Sequence, residues 1–444
     1  MFSILSKLSM AFCLASLLLA CGGENPAQTN TRVAMQANES AVVGAWATAP
    51  YGPYPLGPLT RDGTPTPGAP EVALFPGNQA NNQSFRMIIH PTIGGQALRV
   101  RLSNLVGDRP IRFENISIAK GNPLTPNIEA STQTLLTVRG QAFGVAQAGE
   151  ELITDLIPFV FEAGEDLAVS FHVAGESGPM TWHAVSFAPQ FIARPNSGDQ
   201  TQDATGTAFQ QVSVGWFFIS GLDVLNPQAK GALVTIGDSI TDGAYQVLNQ
   251  RWPDFLAQRL QAAGETVGVL NQGINSNTVT DARDGAAGPP LVKRFQRDVL
   301  SRSGVKSVLI LEGTNDLGAG VDAPEIIEGL KTVIAQAREA GLCVYLGTIL
   351  PRADVAFGWF PDGPTVKEPR RQVLNAWIRT TDLADGVLDF DAVMRLPGAE
   401  MLPNAALYTP DLLHPNSLGF KTMGDAIDLE TVLGGFGRPR RCKQ

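Results

Sequence analysis

A serine that closely follows an apolar run is a candidate for chemistry in this sequence. The stretch ALVTIGDSITDG, residues 232–243, brings Ser239 to the end of a predicted strand. A serine hydroxyl is a weak nucleophile until a neighbouring base takes its proton, and histidine suits that role because its pKa lies near neutrality. Ser239 is therefore either a nucleophile or a turn residue that caps the following helix.

One histidine is placed to serve as that base. The chain has four histidines, and three of them (His90, His172 and His183) fall in strand-like segments, where we interpret them as hydrogen-bonded structural residues. Only His414 follows the segments that alternate between strand and helix patterns. Asp411 precedes it by three residues, close enough for a carboxylate to fix the imidazole tautomer and stabilise the imidazolium. The alternative is a surface ion pair at a helix start.

Acyl transfer also needs hydrogen-bond donors for the oxyanion that forms on the carbonyl group. In an open parallel α/β sheet, such groups collect at the carboxyl ends of the strands. The letters NQG follow the run TVGVL, and the letters GTND follow KSVLILE. We predict three donors, the backbone N–H groups of Ser239 and Gly273 and the side-chain amide of Asn315. The alternatives are backbone freedom alone for Gly273 and a loop-structuring Asx turn for Asn315.

The blocks GDSI, NQG, GTND and DLLH resemble, in this order, the signature blocks of the GDSL or SGNH hydrolases. The resemblance covers about residues 228–430 and implies a flavodoxin-like parallel sheet sandwiched by helices. The residues that it carries over are the nucleophile Ser239, the base His414, the orienting acid Asp411 and the oxyanion donors Gly273 and Asn315. Two positions differ from the usual blocks: Ile240 stands where the family name has leucine, and Ser276 stands where a further glycine is common.

Metal and nucleotide sites are not predicted. Asp238, Asp242 and Asp316 lie near the predicted site, but we interpret them as capping or structural residues because nucleophile and base explain the site without a metal. The pattern Gly-x-Ser-x-Gly of the α/β-hydrolase elbow is absent. The glycine-rich stretches GAGVDA and GGFGRP lack the full dinucleotide fingerprint. We therefore expect neither a metal nor a cofactor.

The elements that position these residues lie in residues 228–436, where apolar runs alternate with helix-period segments. This alternation predicts a parallel α/β sheet covered on both faces. Residues 41–227 instead contain short alternating runs such as SFRMIIHP and DLAVSFHVA, separated by Gly, Pro and Asn. They predict an all-β, sandwich-like accessory domain, which also loosely resembles the β domain of an extended subgroup of secreted GDSL-type esterases. Residues 437–444 are predicted to be a tail.

The N-terminus has the pattern of an export signal. Residues 1–20 contain Lys7 and then the apolar run LSMAFCLASLLLA, and Cys21 follows directly. This ending resembles the lipobox of bacterial lipoproteins, which implies that Cys21 carries lipid and anchors the chain to a membrane of the cell envelope. The alternative is a plain cleaved signal peptide. Residues 21–40 are polar and aperiodic, and we interpret them as a flexible tether.

Composition and cysteines limit the remaining possibilities. The chain is 44% hydrophobic and 17% charged with a net charge of −9, which is globular composition. No Lys/Arg stripe is present, so a nucleic-acid partner is not expected. Cys343 lies in an apolar run and reads as a small buried hydrophobic residue, although an oxidising compartment would permit a bridge to Cys442.

A loop after a predicted strand carries three aromatic residues near the rim of the expected site. Phe357, Trp359 and Phe360 could line an acyl or sugar pocket, or they could pack the loop onto the core. We expect a lipid-anchored serine esterase that removes short acyl groups, such as O-acetyl groups of carbohydrate. The alternatives are a lipase or lysophospholipase-type acylhydrolase and a non-catalytic glycan-binding surface lipoprotein.

Overall fold

The computed structural model describes residues 41–57, 60–61, 64–65, 74–186, 188–245, 248–354, 358–359, 367–437 and 442. The predicted signal peptide (1–20), the tether (21–40) with Cys21, and the tail apart from residues 437 and 442 lie outside this part of the chain. None of the helices in the described part is both long and apolar enough to span a membrane.

The first part of the described chain is built from strands. Their bounds are β1 (Val42–Ala47), β2 (Gly52–Pro53), β3 (Thr60–Arg61), β4 (Thr64–Pro65), β5 (Asn81–Ile89), β6 (Gly95–Ser103), β7 (Ile111–Asn122), β8 (Thr125–Ile128), β9 (Thr134–Leu135), β10 (Phe143–Ala146), β11 (Glu151–Ile153), β12 (Ile157–Phe161), β13 (Leu167–Glu176), β14 (Thr181–His183), β15 (Gln190–Ile192), β16 (Gln211–Ser213), β17 (Trp216–Phe217) and β18 (Ile219–Leu225). Short 3-10 turns lie at Pro76–Asn78 and Ala130–Thr132. We call residues 41–227 the β region.

Two antiparallel sheets form most of the β region. One has the order β1-β18-β6-β11, and the other has the order β10-β7-β13-β5-β15-β16. Phe85, Phe113 and Phe171 project from the second sheet onto Phe218, which directly precedes β18 of the first, with ring centroids 5.4–6.3 Å apart. This aromatic cluster fills the space between the sheets, as the alternating sequence pattern predicts.

The second part of the chain contains a five-stranded parallel sheet. Its strands are β19 (Gly231–Gly237), β20 (Val267–Gly273), β21 (Val305–Leu311), β22 (Cys343–Gly347) and β23 (Gly386–Leu388). Their order is β20-β19-β21-β22-β23. Gly237 is in register with Gly273 on one side and with Leu311 on the other, so three strands end at the same edge. A hairpin, β24 (Arg395–Leu396) with β25 (Ala399–Pro403), follows later.

Helices cover this sheet. They are α1 (Ser239–Asp242), α2 (Trp252–Ala262), α3 (Leu291–Phe295), α4 (Thr314–Ala319), α5 (Ala323–Glu339), α6 (Lys367–Thr380), α7 (Phe390–Met394), α8 (Ser417–Ala426) and α9 (Leu429–Leu433). A π-helical turn spans Gln296–Leu300, and 3-10 turns lie at Asp281–Arg283, Ala405–Leu407 and Gly434–Phe436. β19 and β22 are buried along their whole length, which is the burial expected of a sheet with both faces covered. The predicted parallel α/β fold preceded by an all-β region is confirmed.

The β region packs directly against the α/β region. The Thr92 hydroxyl donates to Val269 O (3.2 Å) and accepts from Val269 N–H (2.9 Å), and Gly44 N–H donates to Ser303 O at 2.9 Å. Buried hydrophobic residues of both regions belong to one continuous core. The two regions therefore form one compact unit, and the domain boundary predicted between residues 227 and 228 falls in the connection between β18 and β19.

A disulfide joins the start of β22 to the C-terminal end of the chain. Cys343 is fully buried, as its apolar surroundings predict, and its sulfur is bonded to Cys442. The two Cα atoms are 5.2 Å apart and the residues are 99 positions apart in sequence. The bridge that the sequence left open is therefore present.

Candidate active site

Ser239 sits where β19 turns into α1. Asp238 is the N-cap of this helix, and its carboxylate accepts a hydrogen bond from Ile240 N–H at 2.9 Å. Gly237 is a glycine because a side chain there would collide with the carbonyl oxygen of Leu311. The tight turn holds Ser239 at the carboxyl edge of the sheet, where its residue is only 4% exposed.

The side chains of Ser239, His414 and Asp411 form one hydrogen-bonded chain. Ser239 Oγ lies 2.9 Å from His414 Nε2, and His414 Nδ1 lies 2.7 Å from Asp411 Oδ2. The serine and the histidine are 175 residues apart in sequence. The arrangement can pass a proton from the hydroxyl to the imidazole while the carboxylate keeps the second ring nitrogen protonated.

Asp411 is fixed by its own loop. Its Oδ1 accepts from the backbone N–H groups of Leu413 and His414, both at 3.0 Å, and from the Thr409 hydroxyl at 2.6 Å. Partial burial alone would raise the pKa of this carboxyl group. The hydrogen bonds from His414, Thr409 and the backbone outweigh burial and hold the pKa well below its usual range. Asp411 is therefore a carboxylate throughout the neutral pH range.

Two of the predicted oxyanion donors have free hydrogens. The backbone N–H of Ser239 donates to no other group among the described residues, because it lies in the first turn of α1. Asn315 lies in the first turn of α4, and its Nδ2 donates one hydrogen to Asn277 O at 3.0 Å. No described residue accepts the second amide hydrogen of Asn315, which can therefore be donated to a ligand oxygen.

The predicted role of Gly273 as a donor is contradicted. Its N–H donates to the side chain of Asn271, with Oδ1 at 2.9 Å, and Asn271 also anchors α1 by donating to Thr241 O. A side chain at Gly273 would collide with the backbone of Asp242. The position needs glycine because the strand end and α1 approach closely, which is the backbone alternative weighed above.

Ser276, three residues after Gly273 in the loop that follows β20, has a backbone N–H that is better placed to serve as an oxyanion donor. Its backbone lies in the left-handed region, with φ +66°. Its N–H makes no hydrogen bond to any described residue, whereas Ile274 N–H donates to Gly237 O and Asn275 N–H donates to the Asp242 carboxylate. The sequence has a serine here where a glycine is common, but residue types alone did not predict Ser276 as a donor.

The family model described as GDSL-like lipase/acylhydrolase matches residues 235–421. This stretch is a GDSL-like lipase/acylhydrolase domain. It contains Ser239, His414 and Asp411, the predicted nucleophile, base and acid, and membership of this domain in the family supports a serine hydrolase that acts on ester bonds.

Solved structures resemble part of the chain. They include a lipase/acylhydrolase from Enterococcus faecalis (22% identity, 48% of this chain and 98% of that chain, TM-score 0.36). Others are a GDSL-like lipase from Bacteroides thetaiotaomicron (20%, 46% and 88%, 0.33) and an esterase from a Pseudoalteromonas species (18%, 44% and 93%, 0.34). A search of curated proteins found no significant match.

Replacing Ser276 with glycine in the GDSL-like domain is expected to stabilise the protein by about 1 kcal/mol, because a non-glycine residue pays about that much in the left-handed region. Glycine keeps the N–H, so kcat should stay within about twofold of the wild-type value. Urea unfolding and ester hydrolysis measure the two quantities, and Ser276→Ala, which keeps the backbone cost, is the control. A large loss of kcat in Ser276→Gly would show that the hydroxyl, not the N–H, matters.

A buried arginine links the ends of two strands of the GDSL-like domain close to Ser239. Arg294 is 1% exposed. Its guanidinium donates to Gly237 O at 2.9 Å and to Gln272 O at 2.7 Å, and it pairs with Glu312 at 3.4 Å. Sequence reasoning missed this residue, because an arginine in a helix-period segment looks the same whether it faces solvent or the core.

The three aspartates considered for a metal each serve a hydrogen-bonding role. Asp238 caps α1. Asp316 accepts from Val279 N–H and Thr280 N–H, both at 2.9 Å. Asp242 accepts from the loop after β20 and contacts His183. These contacts agree with the interpretation of all three as capping or structural residues.

Asp238→Asn is expected to change the pH dependence of stability. Burial raises the pKa of Asp238 from 3.8 to about 6, against the opposing hydrogen bond from Ile240 N–H. A raised pKa in the folded state means that this group's contribution to stability is complete below pH 3.8 and is lost as the pH rises through 6. The asparagine variant lacks this loss, so from pH 4 to pH 8 its stability relative to wild type should rise by about 2 to 3 kcal/mol.

Urea unfolding at several pH values measures this difference for Asp238→Asn. Asp428 provides the control because it caps α9 from an exposed position and its pKa is lowered by its hydrogen bond from Thr431. A lowered pKa gives a contribution that builds up as the pH rises to about 5 and is constant above it, so the stability difference between Asp428→Asn and wild type should stay nearly constant from about pH 5 to pH 8. Parallel curves for Asp238→Asn and wild type would contradict the expectation.

The aromatic loop differs from the predicted pocket wall. Phe357 and Phe360 lie outside the described residues. Trp359 is fully buried, its ring lies 4.7 Å from the Arg352 guanidinium, and its Nε1 donates to Glu368 at 3.3 Å. Because no face of this ring is open to a substrate, the pocket prediction for Trp359 is not supported, and the placement matches the alternative of packing on the core.

Two of the three other histidines bond within the β region. His90 pairs with Asp166 at 2.8 Å, and His172 contacts Ser84 and Asn82 at 3.2 and 3.1 Å. Both agree with the structural interpretation. His183 also has hydrogen-bond partners, but one of them is Asp242 of α1 in the GDSL-like domain.

Proposed function

We propose that this chain is an exported, lipid-anchored serine esterase that removes short acyl groups, such as O-acetyl groups, from carbohydrate. The observation that carries the proposal is the hydrogen-bonded chain from Ser239 through His414 to Asp411 at the edge of the parallel sheet. Nucleophile, base and orienting acid are already within hydrogen-bond distance without a substrate, which is the geometry that a general base requires.

The proposed reaction uses each group in turn. Ser239 Oγ attacks the ester carbonyl while His414 Nε2 takes the hydroxyl proton, and Asp411 stabilises the imidazolium. The oxyanion is held by Ser239 N–H, the Asn315 amide and, in place of Gly273, the free N–H of Ser276. The intermediate collapses, the ester oxygen leaves with the proton of His414, and an acyl-enzyme remains. Water then attacks it with His414 as base, releasing the acid and restoring the serine.

An exposed aromatic ring beside the proposed base supports the proposal that the alcohol part of the substrate is a sugar. The Tyr245 side chain is 66% exposed, and its ring lies edge-to-face with the His414 imidazole, with centroids 5.2 Å apart. His414 delivers its proton to the leaving alcohol, so a ring at this place offers an apolar face to that part of the substrate.

The disulfide supports the proposed export. The Cys343–Cys442 bond is of a kind that forms and persists outside the reducing cytosol. Lipid attachment rests on the sequence resemblance at Cys21. Metabolic labelling with palmitate tests the anchor, and Cys21→Ala should lose both the label and the membrane association.

A substrate panel tests the proposed specificity. Acetylated oligosaccharides and p-nitrophenyl esters from acetate to palmitate are offered to the purified protein, with Ser239→Ala as the blank. We expect acetate release from the sugars and a kcat/KM for acetyl and butyryl esters more than tenfold above that for chains of twelve carbons or longer. Preference for long chains would favour the lipase alternative, and glycan binding without turnover would favour the binding lipoprotein.

A further inference from the structure

A histidine of the β region is bonded to the helix that carries the nucleophile. His183 lies in β14 and is 2% exposed. Its Nδ1 lies 2.8 Å from Ala49 O, and its Nε2 lies 3.1 Å both from Val185 O and from Asp242 Oδ1. Carbonyl oxygens can only accept hydrogen bonds, so each ring nitrogen must donate. A neutral imidazole has one donor, and these contacts therefore require the doubly protonated, positively charged ring.

The charge on this buried ring is matched by Asp242. Burial alone would lower the pKa of His183, but the negative charge of Asp242 and the hydrogen bonds to it, Ala49 and Val185 raise the pKa. Asp242 is itself 3% exposed. A buried pair of opposite charges is tolerated when its hydrogen bonds are complete, and removal of one member leaves the other uncompensated.

Asp242 connects His183 to the backbone that lies next to the proposed reacting groups. It is the last residue of α1, three residues after Ser239. Its Oδ1 faces His183, and its Oδ2 accepts from the N–H of Asn275 at 3.1 Å. Asn275 immediately precedes Ser276, whose free N–H is the proposed oxyanion donor. One carboxylate thus holds the nucleophile's helix and the donor's loop at the same time.

We propose that His183 is a positioning residue for ester hydrolysis, acting through Asp242 on α1 and on the loop that carries Ser276. The inference rests on the esterase activity proposed above. His183 does not touch the substrate. It fixes the direction of backbone N–H groups that stabilise the transition state, and displacements of these groups by about 1 Å cost on the order of 100-fold in rate. The β region thereby becomes part of the catalytic apparatus.

The test compares two buried histidines of the same β region. His183→Gln removes the charge and one donor, whereas His172→Gln is the matched control because its partners are Ser84 and Asn82. We expect His183→Gln to lower kcat 10- to 100-fold with KM within about threefold of wild type. Its reaction with a serine-directed phosphonate should slow to the same degree, while His172→Gln keeps kcat. Equal kcat values for the two variants would overturn the inference.

Two further measurements cover the case in which His183→Gln does not fold. Asp242→Asn keeps the shape of the side chain, and it should lower kcat by a similar factor with KM nearly unchanged; a wild-type kcat would contradict the inference. In the wild-type protein, nitrogen-15 NMR of the four histidines should show His183 protonated at both ring nitrogens at pH 7, and a singly protonated ring would overturn it. Failure of the wild-type protein to hydrolyse any ester would instead refute the proposed function.

Discussion

Replacing Ser239 with alanine is expected to lower kcat/KM for a short-chain ester by a factor on the order of 10⁴–10⁶, because no other nucleophile lies within reach of His414 Nε2 among the described residues. The folded state should change little, since the substitution removes one hydroxyl and leaves the α1 cap on Asp238 in place. Hydrolysis of p-nitrophenyl acetate and thermal unfolding measure the two effects.

Chemical labelling provides the control for this result. One equivalent of a serine-directed phosphonate should inactivate the wild-type protein and modify Ser239, and mass spectrometry should find no label on Ser239→Ala. Retention of more than about 1% of the wild-type kcat/KM by the variant, or labelling of another serine, would exclude Ser239 as the nucleophile.

Asp411→Asn is expected to reduce kcat by a factor on the order of 10³–10⁴. An asparagine amide that donates to His414 Nδ1 would place the ring proton on Nε2, pointing at Ser239 Oγ, and the imidazole could then no longer take the serine proton. Steady-state kinetics at pH 7 to 8 measure this loss. KM should change less than kcat, because Asp411 lies on the far side of the imidazole from the nucleophile.

Thr409→Val is the matched control for Asp411→Asn. It removes the 2.6 Å hydrogen bond to Asp411 Oδ1 but leaves the contact between Oδ2 and His414 intact. We expect less than a tenfold loss of kcat for this variant. If both variants lose activity to the same extent, Asp411 acts by holding its loop together rather than by setting the tautomer of His414.

The triad residues could be chosen from the sequence because few residues of the right type were present. The α/β part of the chain holds a single histidine, and its aspartate is three residues away, so little geometry was needed to pair them. The sheet was also predictable, because uninterrupted apolar runs that alternate with helical periodicity have few other solutions. The catalytic roles themselves stay predictions until the variants are measured.

The oxyanion donors could be predicted only in part. Whether the N–H of Gly273 is free depends on the rotamer of Asn271, and no pattern of residue types encodes a rotamer. The left-handed backbone of Ser276 is equally invisible in a serine, although a glycine at that place would have suggested it. Backbone conformation and hydrogen-bond competition therefore limit what residue types alone can assign.

Burial that depends on contacts between distant parts of the chain also could not be predicted from the sequence. In sequence, Trp359 could line a pocket or pack on the core, and Arg294 could face solvent or the core, because periodicity gives the face of an element but not its depth in the protein. His183 and Asp242 are 59 residues apart, the first in a strand of the β region and the second in a helix of the α/β region. Their contact depends on how the β region packs against the α/β region, and no pattern of residue types in the sequence reveals that packing.

The seam between the two regions has a consequence for truncation. Gly268 of β20 lies so close to the carbonyl oxygen of Gly44 in β1 that a side chain there would collide with it. At this point main chain meets main chain, with no room for the water or polar side chains that line a linker between independent modules. The α/β region is therefore not expected to fold well on its own. Cutting the chain near residue 228 would expose the backbone of β20 to solvent and would leave Asp242 without the charged His183 as its partner. Fusions and domain swaps should carry both halves together.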